Sequence, residues 1–103
     1  MITSRLSLDP SHPIFKGHFP ELPVLPGVCM IDMIKGVLEA VLRHRIFLKK
    51  AHQIKFLRIL NPNEFPEVFA HLNYTEDQGT TRVVAKLQSG DIIFFKLDAQ
   101  FSS

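Results

Sequence analysis

Residues 12–32, HPIFKGHFPELPVLPGVCMID, decide how the rest of the chain is read. They hold four of the seven prolines, two glycines and two histidines, yet most of what lies between is apolar. Together with Pro10, the prolines at 13, 20, 23 and 26 remove backbone donors and bias each preceding residue toward extended geometry. The chain from Pro10 to Pro26 is therefore expected to run as an irregular loop. Loops longer than about 12–15 residues in a compact domain are usually functional or disordered, and disorder goes with low hydrophobicity. Ile14, Phe15, Phe19, Leu22, Val24 and Leu25 argue for order, and so for function.

Downstream, VCMIDMIKGVLEAVLRHR (28–45) has the length and apolar content of a helix of about four to five turns. Its polar members Asp32, Lys35, Gly36, Glu39 and Arg43 fall on one narrow stripe. Nearly all the remaining circumference is apolar, so a curved sheet is expected to wrap it. Strand patterns follow at HQIKFLRIL (52–60), EVFAHLNYT (67–75), TTRVVAKLQ (80–88) and DIIFFKLDAQF (91–101), separated by turn signals at 61–63, 76–79 and 89–91. Upstream, ITSRLSL (2–8) alternates as a strand with Ile2, Leu6 and Leu8 on one face, ended by Asp9-Pro10. The order of strand, long loop, helix and a meander of four strands predicts an α+β fold in which an antiparallel sheet curls round one helix. A length of 103 residues is expected to form one domain, 1–103.

The hydrophobic fraction of 46% and charged fraction of 21% are those of a globular protein. A net charge of +2, with cations scattered among acids, gives no stripe for nucleic-acid phosphates. The apolar run from Val28 to Leu42 is interrupted by Asp32, Lys35 and Glu39 and is too short to span a membrane. With one cysteine, Cys29, and no signal-like apolar run at the start, a cytoplasmic setting is expected.

The residues GHFPELPVLPGVCMID (17–32) resemble the signature of the 3-hydroxyacyl-acyl-carrier-protein dehydratases of the FabA/FabZ type. Gly17, His18, Phe19, Pro20, Pro23, Pro26, Gly27 and Asp32 fit its spacing, in which an acid follows the histidine by fourteen residues. IKFLRILNPNE (54–64) resembles the family's strand that leaves the helix. The resemblance implies the hot-dog fold, with five or six strands around one long helix. It also implies catalytic His18 and Asp32, with a thioester carbonyl bound by the amides of Gly27 and Val28. A substrate tunnel is implied along Phe15, Phe19, Val24, Leu25 and Pro26.

These residue types suit the chemistry. Dehydrating a 3-hydroxyacyl thioester needs a base with a pKa near neutrality, which His18 offers, and donors for an enolate-like oxygen, which the opening of a helix offers. It also needs an acid for the departing hydroxyl, and Asp32 would need a dry surround to stay protonated. No metal or organic cofactor is required, the substrate being carried on 4′-phosphopantetheine. The resemblance further implies an acyl carrier protein or coenzyme A thioester as partner. Subunits would form a homodimer, or a higher oligomer of dimers, in which His18 of one meets Asp32 of the other. Arg43, Arg45, Lys49, Lys50 and Arg58 are candidates for meeting an acidic carrier.

Plainer readings stand beside these. Asp32 could pair with Lys35, and Glu39 with Arg43, as solvated helix neighbours. Cys29 reads as core, and His12, His44, His52 and His71 as structural or surface residues. Metal binding by His12 and His18 lacks a third and fourth ligand at familiar spacing. Aspartate at 32 resembles the branch that also isomerises the new double bond, but MIKG (33–36) departs from both branches, and Glu21 stands where glycine is common. Gly36, costing about 1 kcal/mol against alanine in a helix, suggests close approach by a neighbouring segment or a ligand. The alternatives in function are an acyl thioesterase of the same fold and a catalytically silent acyl-binding or partner subunit.

Overall fold

Alternation dictates the sheet. Thr81, Val83, Ala85 and Leu87 are buried in turn while Arg82 and Val84 between them are exposed, the period of a strand with one wet face. The structure, a computed structural model, describes residues 1–9, 11 and 24–103. Its elements are β1 (Ile2–Ser7), α1 (Gly27–Leu42), β2 (Phe47–Phe56), β3 (Glu67–Asp77), β4 (Thr80–Ser89) and β5 (Ile92–Ser102). The strands form one antiparallel sheet in the order β1-β3-β4-β5-β2. The β3–β4 hairpin closes on Gln78 and Gly79 at φ 48° and 80°, the two positive values that a tight turn matching strand twist requires. The loop expected over 10–26 falls mostly outside the described residues.

The helix starts one residue earlier than its apolar pattern predicts and stops three residues sooner. Arg43 turns left-handed at φ 63°, and the Glu39 carboxylate accepts a hydrogen bond from the Ile46 amide at 2.9 Å. Glu39 therefore ties down the connection to β2, and the ion pairs formed among the described residues do not include one with Arg43. Lys35 likewise passes Asp32 by, its ammonium lying 5.4 Å from the centre of the Phe47 ring. A Cβ at Gly36 would meet nothing within 4 Å among the described residues, so none of their segments makes the expected close approach.

Met30, Ile34 and Leu38, one turn apart, form the fully buried stripe of α1. They join Leu72, Val83, Leu87, Phe94, Phe95 and Phe101 in one core. The expected wrapping on most sides is only partly met within this chain. Ile31, Met33 and Val37 are half-buried against the core, while Val28 is 70% and Val41 41% exposed. β2 departs furthest from its pattern, lying at 47–56 rather than 52–60, with all ten residues exposed at the sheet edge. After Phe56 the chain leaves the ladder and turns inward. The Leu57 amide donates to Phe94 O at 2.9 Å, Leu60 is buried, and its carbonyl accepts the Leu25 amide at 2.9 Å.

Candidate active site

Pro26 sets the entry to α1. With φ −60° and ψ 147° it is extended, and its carbonyl accepts the amides of Cys29 at 3.0 Å and Met30 at 3.3 Å. The amides of Gly27 and Val28 come before these donors, where a helix has no carbonyl of its own to offer them. They make up the positive end of the helix dipole, a setting that favours a developing oxyanion. A Cβ on Gly27 would fall 2.6 Å from Cζ and 2.7 Å from Cε1 of Phe56. Glycine is what lets the Phe56 ring, itself stacked on Phe95 at 5.2 Å, close over the helix start.

Beside that start lies an apolar depression of about 480 Å³. Of the residues assigned to a tunnel, Val24 and Leu25 line it and Pro26 does not; Gly27, assigned to the carbonyl, lines it too, together with Met30, Phe56, Leu57, Arg58 and Ile59. Phe56, Leu57 and Ile59 are 56%, 52% and 65% exposed, an apolar rim that a single chain leaves in water. Sequence reading assigned 52–60 to a regular strand and so missed these lining positions. The available signal was the likeness of IKFLRILNPNE to the segment that follows the helix in the family. Arg58 is occupied locally, 3.5 Å from Glu64 and stacked over Phe65 at 5.6 Å.

Asp32 is exposed, one turn beyond Val28 on the same side of α1, and does not line the depression. Its charge is felt by Cys29. Burial first, and then the Asp32 carboxylate, push the half-buried Cys29 thiol up, which keeps it protonated and a poor nucleophile. His18, Phe15 and Phe19 lie outside the described residues, and with them the expected meeting of imidazole and carboxylate. Among the described residues no group of three or more His, Cys, Asp and Glu could hold a metal. No helix among them is long and apolar enough to cross a membrane. His71 sits between strands with Thr3 Oγ1 at 3.1 Å, and His44 Nδ1 is 3.1 Å from Arg45 O.

A five-stranded antiparallel sheet carrying one helix, opened by Pro-Gly at an apolar cleft, is a hot-dog arrangement. A family model described as ApeI dehydratase matches residues 1–91, and the chain belongs to this ApeI-like family. It is 31% identical over 71 residues to the 3-hydroxyacyl-acyl-carrier-protein dehydratase FabZ of Rickettsia typhi, covering 61% of this chain and 49% of that protein. With FabZ of Rickettsia massiliae it shares 29% over 90 residues, 80% of this chain and 59% of the relative. The chain thus spans about half the length of the curated relatives it matches, 49% and 53% for two of them. Among solved structures it is similar to the dehydratase heterocomplex ApeI:P from Xenorhabdus doucetiae. There the TM-score is 0.76 and identity 24%, over 98% of this chain and 86% of the other. A hexameric thioesterase from Yersinia pestis gives a TM-score of 0.61 at 9% identity, over 97% and 84%. These likenesses establish the fold.

Proposed function

We propose that the chain is a hydro-lyase that converts a 3-hydroxyacyl thioester, carried on 4′-phosphopantetheine, into the trans-2-enoyl thioester during fatty-acid or related acyl-chain synthesis. The observation that carries this reading is the opening of α1, where two amides without helical acceptors stand beside an apolar depression, in a chain of a dehydratase family. The thioester carbonyl would accept from Gly27 and Val28, and the acyl chain would lie along Val24, Leu25 and Pro26 with Phe15 and Phe19. His18 takes the proton from C2, and the electrons of that bond form the C2–C3 double bond as the C3–O bond breaks. Asp32 gives its proton to the departing hydroxyl, which leaves as water. No metal or organic cofactor enters the step.

Asp32 is exposed on one chain, which is the wrong surround for a carboxyl acid. The wholly exposed edge strand β2 supplies a remedy. Unpaired edge groups favour strand addition, and two copies joined there would cover apolar surface; in this reading His18 of one meets Asp32 of the other. The working unit in this reading is a homodimer, or an oligomer of dimers, of single-domain chains in the cytoplasm, served by acyl carrier protein or coenzyme A thioesters. The Xenorhabdus structure is a heterocomplex, which supports a second reading in which a different subunit takes that edge.

Incubation of purified protein with a 3-hydroxyacyl pantetheine thioester tests the proposal. Conjugated-enoyl absorbance is expected without release of free thiol. His18→Ala and Asp32→Asn should each lower turnover by about 10²–10⁴-fold with the fold intact, the usual share of a general base or acid. Free thiol would identify a thioesterase. Activity appearing only after a second subunit is added would favour the second reading.

A further inference from the structure

The register aligns Thr3, His71, Lys86, Lys96 and Lys55 opposite one another on β1, β3, β4, β5 and β2. The neighbouring positions Leu72, Ala85 and Leu97 are buried in the core, so this row faces away from it. Three lysines therefore stand on three adjacent strands whose backbones are about 4.8 Å apart, with a histidine on the next strand. Like charges directly opposite one another weaken a sheet. Nearby acids on the same face do not relieve them. Asp98, in the next row, is held bidentately by Arg82 at 2.8 and 3.0 Å, and Glu67 pairs with Arg5 at 3.5 Å. A shallow trough of about 320 Å³ runs beside His71, Lys86 and Lys96, with Gln53 and Asn73 supplying amides, Val84, 52% exposed, an apolar spot, and the Arg82-bound Asp98 on its wall; Lys55 lies outside it.

We propose that this cationic row is a docking surface for an acidic helix of a protein partner. Its length decides the class of ligand. From His71 to Lys55 the row crosses three strand spacings, roughly 14 Å, whereas a single phosphate reaches only two neighbouring ammonium groups. Carboxylates on one face of a helix repeat at about 5.4 Å per turn, close to the strand spacing, so successive turns meet successive lysines. A net charge of only +2 gives no general grip on polyanions, which makes the local alignment the source of selectivity. The inference goes beyond the proposed reaction and does not depend on it.

Fluorescence anisotropy with a labelled helical peptide of about 20 residues, carrying glutamates along one face, provides the test. The full chain should bind it at low salt and release it at high salt. Lys55→Gln/Lys86→Gln/Lys96→Gln should bind about tenfold more weakly, the loss expected from three exposed charge contacts. Arg5→Gln/Lys35→Gln, which removes charge outside the row, should bind like the parent. The row variant should melt no lower than the parent at low salt, because neutralisation removes cross-strand repulsion. Should it fail to fold, Lys86→Gln alone is expected to weaken binding measurably. Unchanged affinity in the row variants would overturn the proposal. So would equal binding of a sequence-scrambled peptide, of single-stranded DNA, or competition by inorganic phosphate at matched ionic strength.

Discussion

Cys29 and Asp32, three residues apart on α1, make a local probe of the helix start. Because burial and then the Asp32 charge raise the thiol above its reference value of 9.0, the folded chain holds that proton more tightly than the unfolded one. The associated stability is fully present below the unfolded pKa and is lost as pH rises through the folded value. Asp32→Asn removes the smaller of the two causes, so it should lower the thiol pKa and speed alkylation by iodoacetamide, followed by mass spectrometry across alkaline pH. An unchanged rate profile would show that the carboxylate does not act on Cys29. At Gly27 the constraint is steric. Gly27→Ala should cost about 1–3 kcal/mol in urea unfolding by driving the new methyl into the Phe56 ring. The same change made in a Phe56→Ala background should cost little.

At the scale of elements, α1 is held by its stripe. Leu38, fully buried, should cost about 2–5 kcal/mol when cut to alanine, while Val41→Ala, at an exposed position of the same helix, should stay within about 0.5 kcal/mol. Gly36→Ala should stabilise by up to about 1 kcal/mol, since the added methyl meets nothing and helix propensity improves. Equal denaturation midpoints for the Leu38 and Val41 variants would contradict the observed packing. Across β4 and β5, the hydrogen bond from Arg82 holds the Asp98 carboxyl below its ordinary range, helped by the Arg82 and His52 charges and opposed by burial. A depressed carboxyl contributes stability above its unfolded pKa and loses it as pH falls through the folded value. Asp98→Asn should therefore flatten the acid limb of a stability profile below about pH 4.

At the scale of the whole molecule, the sheet has one long edge and a helix clothed on one side. Phe47, Leu48 and Ile54 on β2 are 52%, 46% and 38% exposed. If the subunits join at this edge, Leu48→Lys/Ile54→Lys should turn a species of twice the chain mass into a monomer, read by light scattering. Turnover should be lost with it, since Asp32 would return to water. A monomeric parent would remove the homodimer from the proposed mechanism.

The sequence by itself determined what local pattern can carry. Period-two burial placed β3, β4 and β5 to within two residues, the 78–79 turn was marked by its glycine, and the spacing from Gly17 to Asp32 identified the family. Tertiary structure decided the rest, because exposure depends on what packs from elsewhere in the chain. The apolar run 57–60 looks like more strand, yet Leu60 is drawn inward by the core and by its bond to Leu25. Glu39 has Arg43 four residues on, the spacing of a helical pair, but serves the Ile46 amide after the chain turns. The alignment of Lys55, Lys86 and Lys96 exists only through strand register, which no single stretch of sequence contains.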